Sequence, residues 1–318
     1  MNPIICLAGP TASGKTALAV ALAQALNGEV VSCDSMQVYK FMDIGTAKPT
    51  LGEMQGIPHH MIDVADPRED YSVSRYCKDA APIVEDIVSR GKVAIIAGGT
   101  GLYMDSLIRG NDIAPFPSTG VRERLERQTD AEGLEAMRSW LRSIDPEAEA
   151  RIQDRKRLLR ALEVYLETGE TITEHNRRTQ ALPPRFTPLW LGLDFENRQS
   201  LYHRIDQRVT HMLEAGLLQE IRSLLQSGVP DTATAMQAIG YKEFVSALEG
   251  HGTVEAAADS VRQSSRRYAK RQLTWFRREK DVIWLNKPDF DYDEEKILSY
   301  MLDRWNEIVS ADAKEEGE

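Results

Sequence analysis

Residues 3–26 read Pro3-Ile4-Ile5-Cys6-Leu7-Ala8, then Gly9-Pro10-Thr11-Ala12-Ser13-Gly14-Lys15-Thr16, then ALAVALAQAL (17–26). A short apolar run, an eight-residue G-x-x-x-x-G-K-T motif and a block of strong helix formers closed by Asn27-Gly28 predict strand, phosphate-binding loop and helix. Each residue type has a physical reason to be there. The glycines let backbone N–H groups turn toward phosphate oxygens, and the helix N-terminus adds partial positive charge. Lys15 brings a full charge, and Thr16 offers a hydroxyl to Mg²⁺. Gly9, Pro10, Thr11, Ala12, Ser13, Gly14, Lys15 and Thr16 are therefore the candidate diphosphate- or nucleotide-binding residues, with Thr16 the candidate metal contact.

Working outward, apolar runs recur at 29–33 (EVVSC), ending in Asp34, and at 93–97 (VAIIA), ending in Gly98-Gly99-Thr100-Gly101. A helix is predicted around 74–90. Beyond Pro183-Pro184 come a strand at 189–195 (LWLGLDF), helices from about 198 to 279 and a last strand at 282–285 (VIWL). Apolar, non-alternating strands separated by helices imply a parallel sheet covered on both faces. The fold expected is α/β, a P-loop NTPase-like parallel sheet core with helices on both faces. The segment after 114–120 (APFPSTG) turns helical until about 180 and reads as a helical insertion domain. The expected boundaries are 1–114 for the first part of the core, 115–182 for the insertion and 183–318 for the second part. Ligands of such sheets bind at the carboxyl ends of the strands, where the loop, Asp34 and the Gly98–Gly101 turn all fall.

The default chemistry of such a loop is ATP or GTP hydrolysis or transfer, which expects an apolar strand ending in Asp. The run at 93–97 ends in Gly98 instead. The loop thus points to a diphosphate more strongly than to a nucleoside triphosphate. Asp34 could serve as a general base, as a metal ligand through water, or as the N-cap of a following helix.

Charge tells two stories. The total is 39 basic minus 49 acidic residues, −10, which by itself argues against a nucleic-acid partner. From Asp289 to Glu318, however, 11 acidic and three basic residues give −8, so the remaining chain carries only −2. This reads as a solvated acidic tail, disordered at its extreme end. From Arg262 to Lys280, eight basic residues and one acidic give +7, interleaved with Tyr268, Trp275 and Phe276. Such a surface can neutralise phosphates and stack on bases, or can be no more than a solvated helix face. No run approaches the length of a membrane span, MNPIICLAGP lacks the basic start of a signal peptide, and three cysteines (Cys6, Cys33, Cys77) form no disulfide framework or metal spacing. A cytoplasmic monomer with no membrane partner is expected.

Taken together, GPTASGKT (9–16), DSMQVYKFMDIGTAKP (34–49), GIPHHMIDV (56–64), GGTGLY (98–103), KRLLRALEV (156–164), RIDQRVTHMLEAGLLQE (204–220), AIGYKE (238–243) and YAKRQLTWFR (268–277) resemble the bacterial tRNA dimethylallyltransferase (tRNA isopentenyltransferase) family across nearly the whole chain. The resemblance implies a Mg²⁺-dependent prenyltransferase. It would move a dimethylallyl group from dimethylallyl diphosphate to N6 of adenosine 37 in tRNAs reading codons that start with U. It implies Asp34 as the base, Thr100 near the reacting centre, and Lys15 and Arg208 on the diphosphate. It implies tRNA contacts, chiefly to the anticodon stem-loop, from Asp34, Ser35, Met36, Gln37, Thr100, Arg122, Lys156, Arg157, Arg160, Gln237, Gly240, Tyr241, Lys242, Arg267, Lys270 and Arg271. Adjacent His59 and His60 point to opposite faces if they lie in a strand, which favours a structural role.

Three other readings keep part of this evidence. A small-molecule P-loop kinase leaves the basic helices unexplained. An adenylate prenyltransferase of the cytokinin-forming kind has less need of a large RNA-gripping surface. An RNA-binding protein with a structural nucleotide needs no Asp34, Thr100 and Arg208 around the loop.

Overall fold

A computed structural model describes residues 3–110 and 119–315. It divides into two compact units, Met1–Ile108 with Phe186–Glu318, and Arg109–Arg185. In the first unit, β1 (Pro3–Ala8), α1 (Lys15–Leu26), β2 (Gly28–Cys33), α2 (Leu51–Met54), β3 (His59–His60), α3 (Val73–Ser89) and β4 (Val93–Gly98) follow in chain order. Helix α4 (Gly101–Arg109) leads to the second unit, which holds α5 (Val121–Glu132), α6 (Leu134–Ile144), α7 (Pro146–Arg151), α8 (Arg155–Thr168) and α9 (Ile172–Gln180). The chain returns with β5 (Thr187–Asp194), α10 (Arg198–Glu214), α11 (Leu217–Gln226), α12 (Lys242–Leu248), α13 (Val254–Phe276), β6 (Ile283–Asn286) and α14 (Glu294–Glu315).

The six strands form one parallel sheet in the order β3-β2-β4-β1-β5-β6. The unbroken apolar runs follow from this. Ile4, Cys6 and Ala8 face a core shared with Tyr76, Ala80 and Val84 of α3 and Phe276 of α13. Ile5 and Leu7, one residue out of step, face the opposite core with Leu18 and Leu22 of α1 and Ile297 and Met301 of α14. Both sides of β1 are thus out of water, at about 1.5–3 kcal/mol per large aliphatic side chain.

The acidic tail is corrected in part. Residues Glu294–Glu315 form α14, and Ile297, Met301 and Trp305, four residues apart, are buried against the sheet. The acidic residues dominate the count, but that spacing is an apolar helical stripe. The last three residues lie outside the described part.

The second unit has its own core of Leu125, Met137, Leu141, Leu158 and Leu162. Buried Asp145 ties α7 to α9: it accepts from the Ala148 N–H at 3.0 Å, the Thr173 hydroxyl at 2.8 Å and the Thr173 N–H at 3.0 Å. This unit is wider than the 115–182 read from sequence. The Phe186 N–H donates to the Ile108 carbonyl at 3.3 Å, so the chain leaves and re-enters the first unit at neighbouring residues. The expected linker at 114–118 lies outside the described residues.

Candidate active site at the carboxyl ends of the sheet

The strand register assembles the site. Ala8 pairs with Gly98, and Gly98 with Cys33. The loop after β1, the Gly98–Gly101 turn after β4 and Asp34 after β2 therefore leave the sheet side by side. Gly14 caps α1 in the left-handed region (φ 88), a conformation in which an L side chain is strained. The Lys15 ammonium donates to the Gly9 carbonyl at 3.0 Å and the Pro10 carbonyl at 2.7 Å. Burial, then the like charge of Arg208, lower its pKa to about 7, with Asp34 acting in the opposite direction. Burial likewise lowers the Arg208 pKa while Asp34 raises it. Lys15, Arg208 and Asp34 thus share one electrostatic neighbourhood.

No helix follows Asp34 directly. Its carboxylate accepts from the Met36 N–H at 2.9 Å and the Gln37 N–H at 3.4 Å, holding a turn. The Thr100 hydroxyl accepts from the Ser35 N–H at 3.1 Å, which joins the β4 turn to the Asp34 turn. Thr16, on the first turn of α1, is exposed. Among the described residues no group of three or more His, Cys, Asp or Glu could hold a metal ion. A single loop hydroxyl without such a cage suits Mg²⁺ that arrives with a diphosphate, since this ion keeps its waters and leans on substrate phosphates.

The implied RNA contacts divide. Arg267, Lys270 and Arg271 lie on α13 at a spacing that shares one helix face, and all three are exposed. The +7 stretch is not all available, however: Arg262 pairs with Asp259 at 2.7 Å, Arg266 with Asp206, and Arg277 with Asp194 at 2.7 Å. Trp275 donates to Asp105 at 2.7 Å and Phe276 is buried, so neither is a free stacking platform. Gln37 spends its amide internally, accepting from the Ser32 hydroxyl at 2.8 Å and donating to the Thr46 and Ala47 carbonyls at 3.3 and 3.2 Å. Tyr241 is fully buried and donates to Glu220 at 2.6 Å, so its side chain is withdrawn from the surface. Its neighbours Gln237 and Lys242 are exposed, whereas Gly240 is buried. In the second unit, Lys156 and Arg157 are exposed at the start of α8, Arg160 bonds Glu163 at 3.0 Å, and Arg122 pairs with Glu126 at 3.0 Å.

Sequence reasoning missed four side chains here. Tyr268 stands near Thr100 and Asp34, and burial followed by the Asp34 charge raises its pKa, while Gln272 reaches both the loop and the β4 turn. Arg204 donates to the Ala12 carbonyl at 2.8 Å, and buried Lys287 pairs with Glu294 at 3.0 Å beside Gly14. Arg204 was findable, four residues before Arg208 on one helix face. Lys287 stands in the run Asn286-Lys287-Pro288-Asp289 just after the last strand, a local signal that sequence reasoning passed over.

His59 and His60 stand on β3. His60 bonds Glu29 at 2.8 Å, and Glu29 also meets Arg90 and Lys92 at 2.6 and 2.7 Å. The Glu29 carboxyl is held well below the usual range, chiefly by Arg90.

Known proteins place this arrangement. Residues 37–279 match the family described as IPP transferase, and residues 3–67 match Isopentenyl transferase. A tRNA dimethylallyltransferase of Acetivibrio thermocellus is 43% identical over 95% of this chain and 98% of its own length. That of Thermomicrobium roseum is 46% identical over 89% of this chain and 86% of its own. The crystal structure of the full-length tRNA isopentenylpyrophosphate transferase from Bacillus halodurans superposes with a TM-score of 0.73 at 39% identity, covering 98% of this chain and 100% of that one. A eukaryotic dimethylallyltransferase solved acting on tRNA gives 0.83 at 29% identity, covering 98% and 80%.

Proposed function

The chain belongs to the IPP transferase family and is an enzyme that transfers a dimethylallyl group to tRNA, and we propose that the donor is dimethylallyl diphosphate and the acceptor N6 of adenosine 37 in the anticodon stem-loop of tRNAs reading codons that start with U. The observation that carries this reading is the convergence of Lys15, Arg208 and Asp34: two cations where a diphosphate departs and one carboxylate where an amine loses a proton.

The chemistry balances on these groups. The allylic C–O bond breaks, and its electron pair leaves with the diphosphate. N6 forms the new bond to carbon and loses a proton to Asp34. Negative charge grows on the departing oxygens, so loop N–H groups, Lys15 and Arg208 help to the extent that they bind that charge more tightly than the ground state. The Thr16 hydroxyl would hold Mg²⁺, which would supply further neutralisation of that charge. The Thr100 hydroxyl holds the Asp34 turn through the Ser35 N–H, which orients the base.

Exposed Arg267, Lys270 and Arg271 would grip phosphates while the target base leaves its stack; Lys156 and Arg157 of the second unit are proposed as RNA contacts in their own right. The protein is proposed to work as a monomer in the cytoplasm, where Cys6, Cys33 and Cys77 stay reduced. Among the described residues no helix is long and apolar enough to cross a membrane.

The test is a pair of anticodon stem-loops differing only at position 37. The adenosine form should become prenylated and the guanosine form should not. Equal labelling of both would overturn the acceptor assignment.

A further inference from the structure

Gln272 lies on α13 between the exposed Arg271 and the buried Leu273, and is itself buried at 5% exposure. Both ends of its amide are used. The carbonyl oxygen accepts from the Thr11 N–H at 2.9 Å, and the nitrogen donates to the Gly99 carbonyl at 3.0 Å. A Cβ at residue 99 would stand 2.0 Å from that nitrogen, so glycine is what lets the side chain reach. Thr11 belongs to the phosphate-binding loop. Gly99 precedes Thr100, whose hydroxyl holds the Ser35 N–H next to Asp34. The strands pair only as far as Ala8 and Gly98; beyond them, one amide spans the gap between the two loops.

We propose that Gln272 is a positioning residue that fixes the distance between the diphosphate cradle and the base-bearing turn. This rests on the prenyl-transfer reading above. The site asks for one acceptor and one donor in a fixed orientation, which the glutamine amide supplies at neutral pH. Glutamate keeps the acceptor but places a second oxygen against the Gly99 carbonyl unless it is protonated. Methionine keeps the volume and makes neither bond. A misplacement of about 1 Å between reacting groups can cost about a hundredfold in rate.

The experiment compares wild type, Gln272→Met and Gln272→Glu from about pH 5.5 to 8.5, with donor and tRNA varied separately. Lys15, Asp34, Arg208 and Tyr268 also lie around the site, so each variant is read as a ratio to wild type at the same pH. Q272M should lose about a hundredfold in kcat at every pH and keep its KM for tRNA, because Arg267, Lys270 and Arg271 are untouched. Q272E should match Q272M at high pH and recover toward wild type as the pH falls, when a protonated carboxyl can donate to Gly99. A structural role alone would not give that recovery. Q272M within about threefold of wild type, or a flat Q272E ratio, overturns the proposal. Hydrogen exchange separates this failure from failure of the functional reading. Even if wild type transfers nothing, the Thr11 amide should exchange faster in Q272M at unchanged Tm, and unchanged exchange also overturns the proposal.

Discussion

Lys15 and Arg208 are like charges held in one desolvated corner, and burial together with Arg208 brings the Lys15 ammonium down to about 7. A diphosphate needs that ammonium charged, so binding reprotonates it above pH 7. Donor affinity should therefore fall by up to about tenfold per pH unit above 7, seen as a rising donor KM while the tRNA KM moves less. Arg208→Gln removes one cause of the depression, so the break should move to higher pH even as kcat falls. A break unmoved in R208Q would mean that the two residues do not interact.

Asp34→Asn keeps an oxygen for the Met36 and Gln37 N–H groups and removes the base. The variant should fold, bind donor and tRNA, and lose about two to four orders of magnitude in kcat. Rapid-quench turnover at saturating substrates, beside Tm and tRNA affinity, gives the answer.

Lys15→Ala should act on the other substrate. Its ammonium reaches the Gly9 and Pro10 carbonyls, where a diphosphate would sit, so donor KM should rise about tenfold or more, with tRNA affinity unchanged in a filter-binding titration.

The cations of α13 should separate into two classes. Neutral substitutions of Arg267, Lys270 or Arg271 should weaken tRNA binding and reduce its salt slope by roughly one unit each. Arg262, Arg266 and Arg277 are already paired with carboxylates, and their substitution should change the slope less. Titrations across a salt series read the difference directly.

Helix α14 gives a stability prediction of the opposite kind. Trp305 packs against the sheet at 7% exposure, so Trp305→Ala should cost about 3 kcal/mol, read as a lower Tm. Removing residues beyond about 310 leaves Ile297, Met301 and Trp305 in place and should leave activity intact.

The sheet, the phosphate-binding loop, and the placing of Asp34 and the Gly98–Gly101 turn at strand ends were legible because each is written locally: apolar runs that do not alternate, glycines where strands end, a carboxylate at a strand tip; Arg208, on a helix, was implied by the family resemblance alone. Gln272 and Lys287 were not, because their partners, Thr11 and Gly99 for one and Glu294 beside Gly14 for the other, are set by packing and leave no periodic mark. Charge misled in both directions. The acidic C-terminal segment conceals the stripe of Ile297, Met301 and Trp305, and the basic run at 262–280 includes arginines already spent on Asp259, Asp206 and Asp194. Tyr241 shows the same limit: its motif lies near the surface, but the ring is core and its hydroxyl belongs to Glu220.

The central claim is that one site joins a prenyl diphosphate to a base in RNA. Incubating the protein with labelled dimethylallyl diphosphate and Mg²⁺, with an anticodon stem-loop and AMP competing as acceptors, tests it most directly. Label should appear on adenosine 37 of the stem-loop, with diphosphate released in equal amount. Label on AMP alone, or on neither acceptor, would contradict it.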